Sequence, residues 1–249
     1  MLKKTLFTIA GGFLIAFALQ AQPHQHAWFR ATLGFPVTAS LKTEVEFQHR
    51  RQNGFGSGNM FQKNLMYTFR PWIHYQHDKH IKFSLSPVAF FSHYRIVQSK
   101  TDETAVPMGE WRISAAMELQ KELFRKFHVV NRTALEYRTF KGIQPNIIRL
   151  RNRIGIRYDL AAYLKLSIYD EWLVNLAGTT LEHYFDHNRI GVQVEYQFSS
   201  NLKVDFGYLH ISRLPLTSMQ TLSENNIMLT IGYQLGRKNR KMPNSAVHS

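Results

Sequence analysis

From Ile147 to Tyr158 the chain alternates with a period of two. Arg149, Arg151, Arg153 and Arg157 fall on one parity, and Ile148, Leu150, Ile154, Ile156 and Tyr158 on the other. A period of two is a strand with one face for each set. At helical spacing the same arginines would spread around the cylinder. A strand with one apolar face and four guanidinium groups on the other fits the wall of a membrane barrel, isoleucine toward lipid and arginine toward a polar lumen.

The alternation recurs along the chain. Leu41, Thr43, Val45 and Phe47 oppose Lys42, Glu44, Glu46 and Gln48. Ile81, Phe83, Leu85, Ala89 and Phe91 oppose Lys82, Ser84, Ser86 and Ser92. Arg132, Glu136 and Arg138 oppose Val129, Thr133, Leu135 and Tyr137. Lys165, Tyr169 and Glu171 oppose Leu164, Ile168 and Trp172. Segments of this kind run from His26 to Leu235, and Pro71 marks a bulge or boundary in one of them. Tight turns near Asp78, Phe124, Asp159 and Ser200 alternate with longer loops near Gly56, Asp102, Gln144, Gly178 and Met219. The pattern predicts an all-β, antiparallel up-and-down transmembrane β-barrel. Eleven segments can be drawn, but bacterial barrels have even counts, so 10 or 12 strands are expected.

The N-terminus changes the picture in one respect. Lys3 and Lys4 precede an apolar run, Leu6 to Leu19, and Ala21 offers a small residue at a cleavage point. Residues 1–21 read as a secretory signal rather than an anchor, because the run falls short of the ~20 residues that span a bilayer. Residues 22–236 form the expected barrel domain, and residues 237–249 a basic then polar tail, expected to be disordered. The expected location is the bacterial outer membrane, with outer-membrane lipid as the partner.

Charge sharpens the reading further. The formal net charge is +14 and cysteine is absent, so thiolate chemistry and disulfides are excluded. Glu44, Glu46, Glu110, Glu118, Glu136, Glu171 and Glu195 all share the arginine parity. A soluble sandwich would scatter its charges on a solvated face. Carboxylates kept with arginines indicate an enclosed interior where charges pair. Nucleic acid is not an expected partner, because the basic residues point inward and the chain carries a signal.

The Arg132-x-x-Leu135-Glu136-x-Arg138 motif, the Arg149-x-Arg151-x-Arg153 ladder, Glu171, the run Phe185-Asp186-His187-Asn188-Arg189 and Gly207-Tyr208 together resemble domain of unknown function 2490. That family is common in Bacteroidetes-type genomes and is regarded as outer-membrane-barrel-like. The resemblance implies a barrel over nearly the whole mature chain and brings no activity with it.

Two constellations could carry function. The first is the luminal charge cluster: Arg132, Glu136, Arg138, Arg149, Arg151, Arg153, Arg157, Tyr169, Glu171, His187 and Arg189. It fits a structural ion-pair network or a narrow path for small anionic solutes. The second is the hairpin around Gly178. Folded symmetrically, it pairs Tyr169 with Arg189, Glu171 with His187 and Asp170 with Asn188. A Glu171–Arg189 ion pair is then expected on the diagonal. Asp170, Asp186 and Asn188 fall on the outward face as a polar rim, where a hydrogen-bonded hairpin end, a lipid-headgroup or calcium-type site and catalysis all fit. No cofactor motif is present, no metal site is expected, and catalytic residues stay unassigned. His210-x-Ser212 is a weak nucleophile–base pair, and no G-x-S-x-G or zinc-protease motif occurs. The alternative to a non-enzymatic barrel is an outer-membrane enzyme acting on phospholipid or lipopolysaccharide.

Overall fold

The computed structural model describes residues 24–142, 145–215 and 220–236. The expected signal segment and C-terminal tail lie outside the described residues. Eleven strands follow in order: β1 His24–Pro36, β2 Leu41–Gln52, β3 Lys63–Gln76, β4 Ile81–His93, β5 Met108–Phe124, β6 Phe127–Phe140, β7 Ile147–Ala161, β8 Leu164–Ala177, β9 Phe185–Gln197, β10 Leu202–Arg213 and β11 Leu222–Gln234. They are 12 to 17 residues long, enough for a tilted strand to cross a bilayer. Two short 3₁₀ turns, Lys100–Thr104 and Leu181–His183, sit in the connecting loops.

Each strand pairs with its sequence neighbours and the barrel is closed. The even strand count expected from the sequence is therefore corrected to eleven. In an up-and-down barrel an odd count makes the first and last strands run the same way. β1 and β11 accordingly pair in parallel, from His24↔Glu224 to Gly34↔Gln234. Closure needs only that both edges find a ladder, and a parallel ladder satisfies their backbone groups as an antiparallel one does. The remaining pairs are antiparallel, as expected.

The connections sort by length to opposite ends. Turns at 37–40, 77–80, 125–126, 162–163 and 198–201 close one end. The longer connections that follow β2, β4, β6, β8 and β10 leave from the other. Outside, every strand exposes large apolar side chains, such as Phe47, Phe69, Trp111, Ile154, Ile168 and Phe206, each about half exposed (47–58%). Inside, the buried residues are mostly polar, with Glu110, Glu136 and Glu171 at 1–4% exposure. This is the inverse of a water-soluble barrel.

Two bulges break the simple alternation. In β4 the register shifts between Ser86 and Ala89, around Pro87, which lacks the N–H for a ladder bond. The extra residue flips parity. Ala89 and Phe91, expected outside, are buried inside and pack on Met66. The irregularity expected at Pro71 on β3 is present in the β3–β4 ladder, but β4 supplies the extra residue. In β9, Leu173 pairs with His187 and Val174 with Phe185, so Asp186 is extra. The lumen also holds an apolar knot of Trp28, Leu209 and Ile211, with Tyr169 and Met228 against it.

Candidate functional site: a charge lock above a basic vestibule

Toward the long-loop end the lumen is filled by an ion-paired network. Glu136 on β6 lies 2.6 Å from Arg149 and 2.9 Å from Arg151 on β7, 3.5 Å from Arg112 on β5 and 3.7 Å from Arg70 on β3. Arg70 is three strands from Glu136, so this contact spans the lumen. Glu110 takes Arg112 at 2.7 Å, Arg138 at 2.8 Å and His93 at 2.7 Å. Arg151 bridges Glu136 to Glu171 (2.8 Å), and Glu171 also accepts from Arg189 (3.1 Å). Asp186 takes Arg149 at 2.5 Å, His187 at 3.1 Å and Arg138 at 3.9 Å. Near the β1–β11 seam, Glu224 pairs with Arg213 (2.6 Å) and His26 (3.3 Å). Each carboxylate serves two to four basic side chains, which is how a packed interior keeps so many guanidinium groups.

The structure brings Arg138, Arg149, Arg151, Glu136, Glu171, His187 and Arg189 together in this layer. Glu171 faces Arg189 directly across β8–β9 rather than on the diagonal. The hairpin register is two residues from the symmetric expectation: Tyr169 faces Gly191, Leu173 faces His187 and Trp172 faces Asn188. The extra length lies in the 3₁₀ turn Leu181–His183 and the bulged Asp186. Of the expected outward rim, Asp170 and Asn188 do lie outside and are hydrogen-bonded to each other. Asp186 does not. The bulge turns its carboxylate into the lumen, where it is 8% exposed.

Sequence reasoning left Arg70, Glu110 and Arg112 out of the cluster, though their parity was visible. His26, Arg213 and Glu224 were missed because they flank a seam whose existence depends on the strand count. Elsewhere in the lumen, Ser84 Oγ and His74 Nδ1 are 2.9 Å apart. His74 Nε2 is 4.0 Å from Glu44, which Lys42 holds at 2.7 Å. A nucleophile–base–orienter chain needs hydrogen-bond reach at both links, and this one lacks the second. His210, weighed as a base, has Nδ1 2.9 Å from Asn225. Among the described residues no group of three or more His, Cys, Asp and Glu could hold a metal ion.

Toward the short-turn end the lumen opens into a cavity of about 560 Å³. Its cations are partly balanced. Lys82 pairs with Glu118 (2.6 Å), Lys165 and Lys203 share Glu195 (2.8 and 3.0 Å), and Arg157 meets Asp159 (3.1 Å). Arg153 lines its inner end, with its guanidinium carbon 5.1 Å from the Tyr169 ring centre. Tyr169 lies between two glycines, Gly155 on β7 and Gly191 on β9. A methyl on Gly191 would overlap the Tyr169 ring, so the glycine is what lets the ring lie against the wall. Arg132 stands opposite Arg153 on β6, 5.7 Å from the centre of Trp72.

The fold and interior define a closed β-barrel with a charged lumen. The family model described as "Protein of unknown function (DUF2490)" matches residues 25–214, and the chain belongs to that family. A solved structure, the anion-selective porin from Comamonas acidovorans, is similar at 7% identity and a TM-score of 0.34. The match covers 78% of this chain and 53% of the porin, so the chain spans about half the porin's length. No curated protein matches.

Proposed function

We propose that the protein is an outer-membrane β-barrel whose lumen is shut by its own ion pairs. Its role is structural, with at most a narrow, anion-preferring path. One observation carries this reading: an apolar outer wall encloses an interior in which arginines from β3, β5, β6, β7 and β9 are tied to Glu110, Glu136, Glu171 and Asp186. Such a wall wants hydrocarbon outside, and a closed barrel leaves no backbone edge unpaired there. By the usual arrangement of such barrels the short turns face the periplasm, so the basic vestibule opens inward to the cell. The excess of cations in it disfavours cation passage.

The test is direct. In fractionated cells the protein should travel with the outer membrane, and the unheated form should run faster on gels than the heated one. In planar bilayers it should give no large steady conductance, and any residual current should be carried by anions. A detergent-free soluble monomer would end the membrane reading. An open, unselective pore would end the closed-lumen reading.

A further inference from the structure

Arg132 and Arg153 differ from the arginines above them. They face each other directly across β6 and β7, so their Cα atoms are about 4.5–5.5 Å apart. Like charges directly opposite on a sheet are destabilising. The row they occupy runs Glu118, Arg132, Arg153, Glu171 across four strands, which could have given two neat pairs. It does not. Glu118 turns to Lys82, and Glu171 is taken by Arg151 and Arg189. Among the described residues, neither the Arg132 nor the Arg153 side chain makes an ion pair or a hydrogen bond. Each has an aromatic ring nearby instead, Tyr169 at 5.1 Å for Arg153 and Trp72 at 5.7 Å for Arg132, the Trp72 ring being shared with Arg70 at 4.2 Å. A guanidinium resting on a ring keeps its N–H edge for an oxyanion.

We propose that Arg132 and Arg153 form a binding site for a small phosphate-bearing solute, reached through the vestibule from the short-turn end. This deepens the barrel reading and rests on it. The vestibule volume, about 560 Å³, is in the range that takes a small organic ligand. Lys82, Lys165 and Lys203 around it, each about one-third exposed, draw in anions. Arg153 lines the inner end of the vestibule with Arg132 next to it across the β6–β7 ladder, and the planar donor fork of a guanidinium matches a tetrahedral oxyanion better than a halide. A bound oxyanion offsets the repulsion between the two like charges. The charge lock above closes the far side, so the site is a blind pocket rather than a step on an open path.

The experiment uses the full mature chain folded in detergent, with inorganic phosphate and chloride compared at equal ionic strength. Calorimetric titration and thermal unfolding are the readouts. Phosphate should bind and raise the unfolding temperature more than chloride does. Arg132→Gln and Arg153→Gln should each weaken phosphate binding about tenfold or more. Both should leave the phosphate-free unfolding temperature unchanged or higher, because each removes a like-charge contact. Arg153→Lys keeps the charge without the fork and should bind at intermediate strength, and it serves if a glutamine variant does not fold. Lys141→Gln, on an exposed loop, should bind as wild type. Equal shifts with phosphate and chloride would overturn the proposal. So would an Arg153→Gln protein destabilised as strongly as Arg151→Gln, since Arg153 would then be a structural partner. The heat-dependent gel shift on the same samples separates failures: a heat-modifiable barrel that ignores phosphate loses only this site, and the absence of a barrel removes the parent reading.

Discussion

The two halves of the lumen use the same residue types in opposite ways. In the upper half, Arg149 and Arg151 share Glu136 and reach on to Asp186 and Glu171. In the lower half, Arg153, one step further along the same strand face, has a ring beside it and an arginine opposite it. Alternate residues on one strand are ~6.7 Å apart, so the change from saturated to unsaturated takes place within one pleat. What differs is carboxylate supply. Glu136 and Glu171 stand where they serve the upper arginines, and Glu118 stands nearer Lys82. The upper half is therefore built to hold, and the lower half is built with unspent charge.

The sharpest way to break this contrast is Glu136→Gln. It leaves Arg70, Arg112, Arg149 and Arg151 around a neutral group. Removing one partner of a buried pair costs about 3–5 kcal/mol, and here several cations lose the same partner. The unfolding midpoint in detergent should fall by that amount. The matching change below, Glu118→Gln, strips only Lys82, whose side chain is 33% exposed. It should cost no more than about 1 kcal/mol, as for a screened pair. Equal losses at the two sites would show that the halves are not energetically distinct.

Next in size is Arg151→Gln, which uncouples Glu136 from Glu171. Loss of the bridge should lower stability by about 3 kcal/mol and leave bilayer currents nearly as they were, because Arg149 and Arg189 still fill the layer. A selectivity change without a stability change would make the ladder a conduction path instead.

These arginines were legible because their signal is periodic. The face of Arg149 to Arg157 follows from alternation alone. So does the Glu171–Arg189 pair, even though the hairpin register was wrong by two residues. A slip of two keeps every side chain on its face, whereas a slip of one would not. That is why Ala89, Phe91 and Asp186 were misread: the first two follow a bulge and the third is the bulged residue itself, and a single extra residue inverts parity without leaving a periodic trace. Pro87 was the available warning in β4, and β9 offered none. The choice of partners was not legible either, since Arg70 reaches Glu136 across the lumen rather than along the sheet. The eleven segments were legible, and the count failed only because the even-strand rule for bacterial barrels was applied to a chain that closes by a parallel pair.

A smaller effect sharpens the floor of the vestibule. Gly191→Ala places a methyl where the Tyr169 ring lies, so the ring must shift toward the vestibule, while Gly155 packs against the base of the same side chain. Overpacking of this kind costs about 1–3 kcal/mol. It should also move Tyr169 away from Arg153, so tyrosine fluorescence of this variant should change on folding relative to wild type. An unaltered spectrum and midpoint would mean the wall yields and the ring is not a fixed support.

The smallest expected effect concerns the long-loop end, where the lock is covered and the vestibule is not. Loops 53–62 and 94–107 are tied together there. The Phe55 N–H donates to Glu103 (2.9 Å), Lys63 lies 3.2 Å from the same carboxylate, and Gln52 bonds both Val97 N and Arg95 O. The backbone bond from Phe55, then Lys63, holds the Glu103 carboxyl below its usual range. Its folded value is depressed, so the tie is fully present above the ordinary glutamate value of ~4.3 and is lost as pH falls through the lower folded value. Glu103 sits in a connecting loop outside the barrel wall, so the effect is local. Hydrogen exchange at the Phe55 amide should therefore lose protection on acidification below about pH 4, while the gel mobility of the folded barrel stays constant. In Glu103→Gln the same amide should show no such acid-dependent step. Protection that survives acidification in the wild type, or an acid step that persists in the variant, would place the tie in Gln52 and its backbone bonds instead of in Glu103.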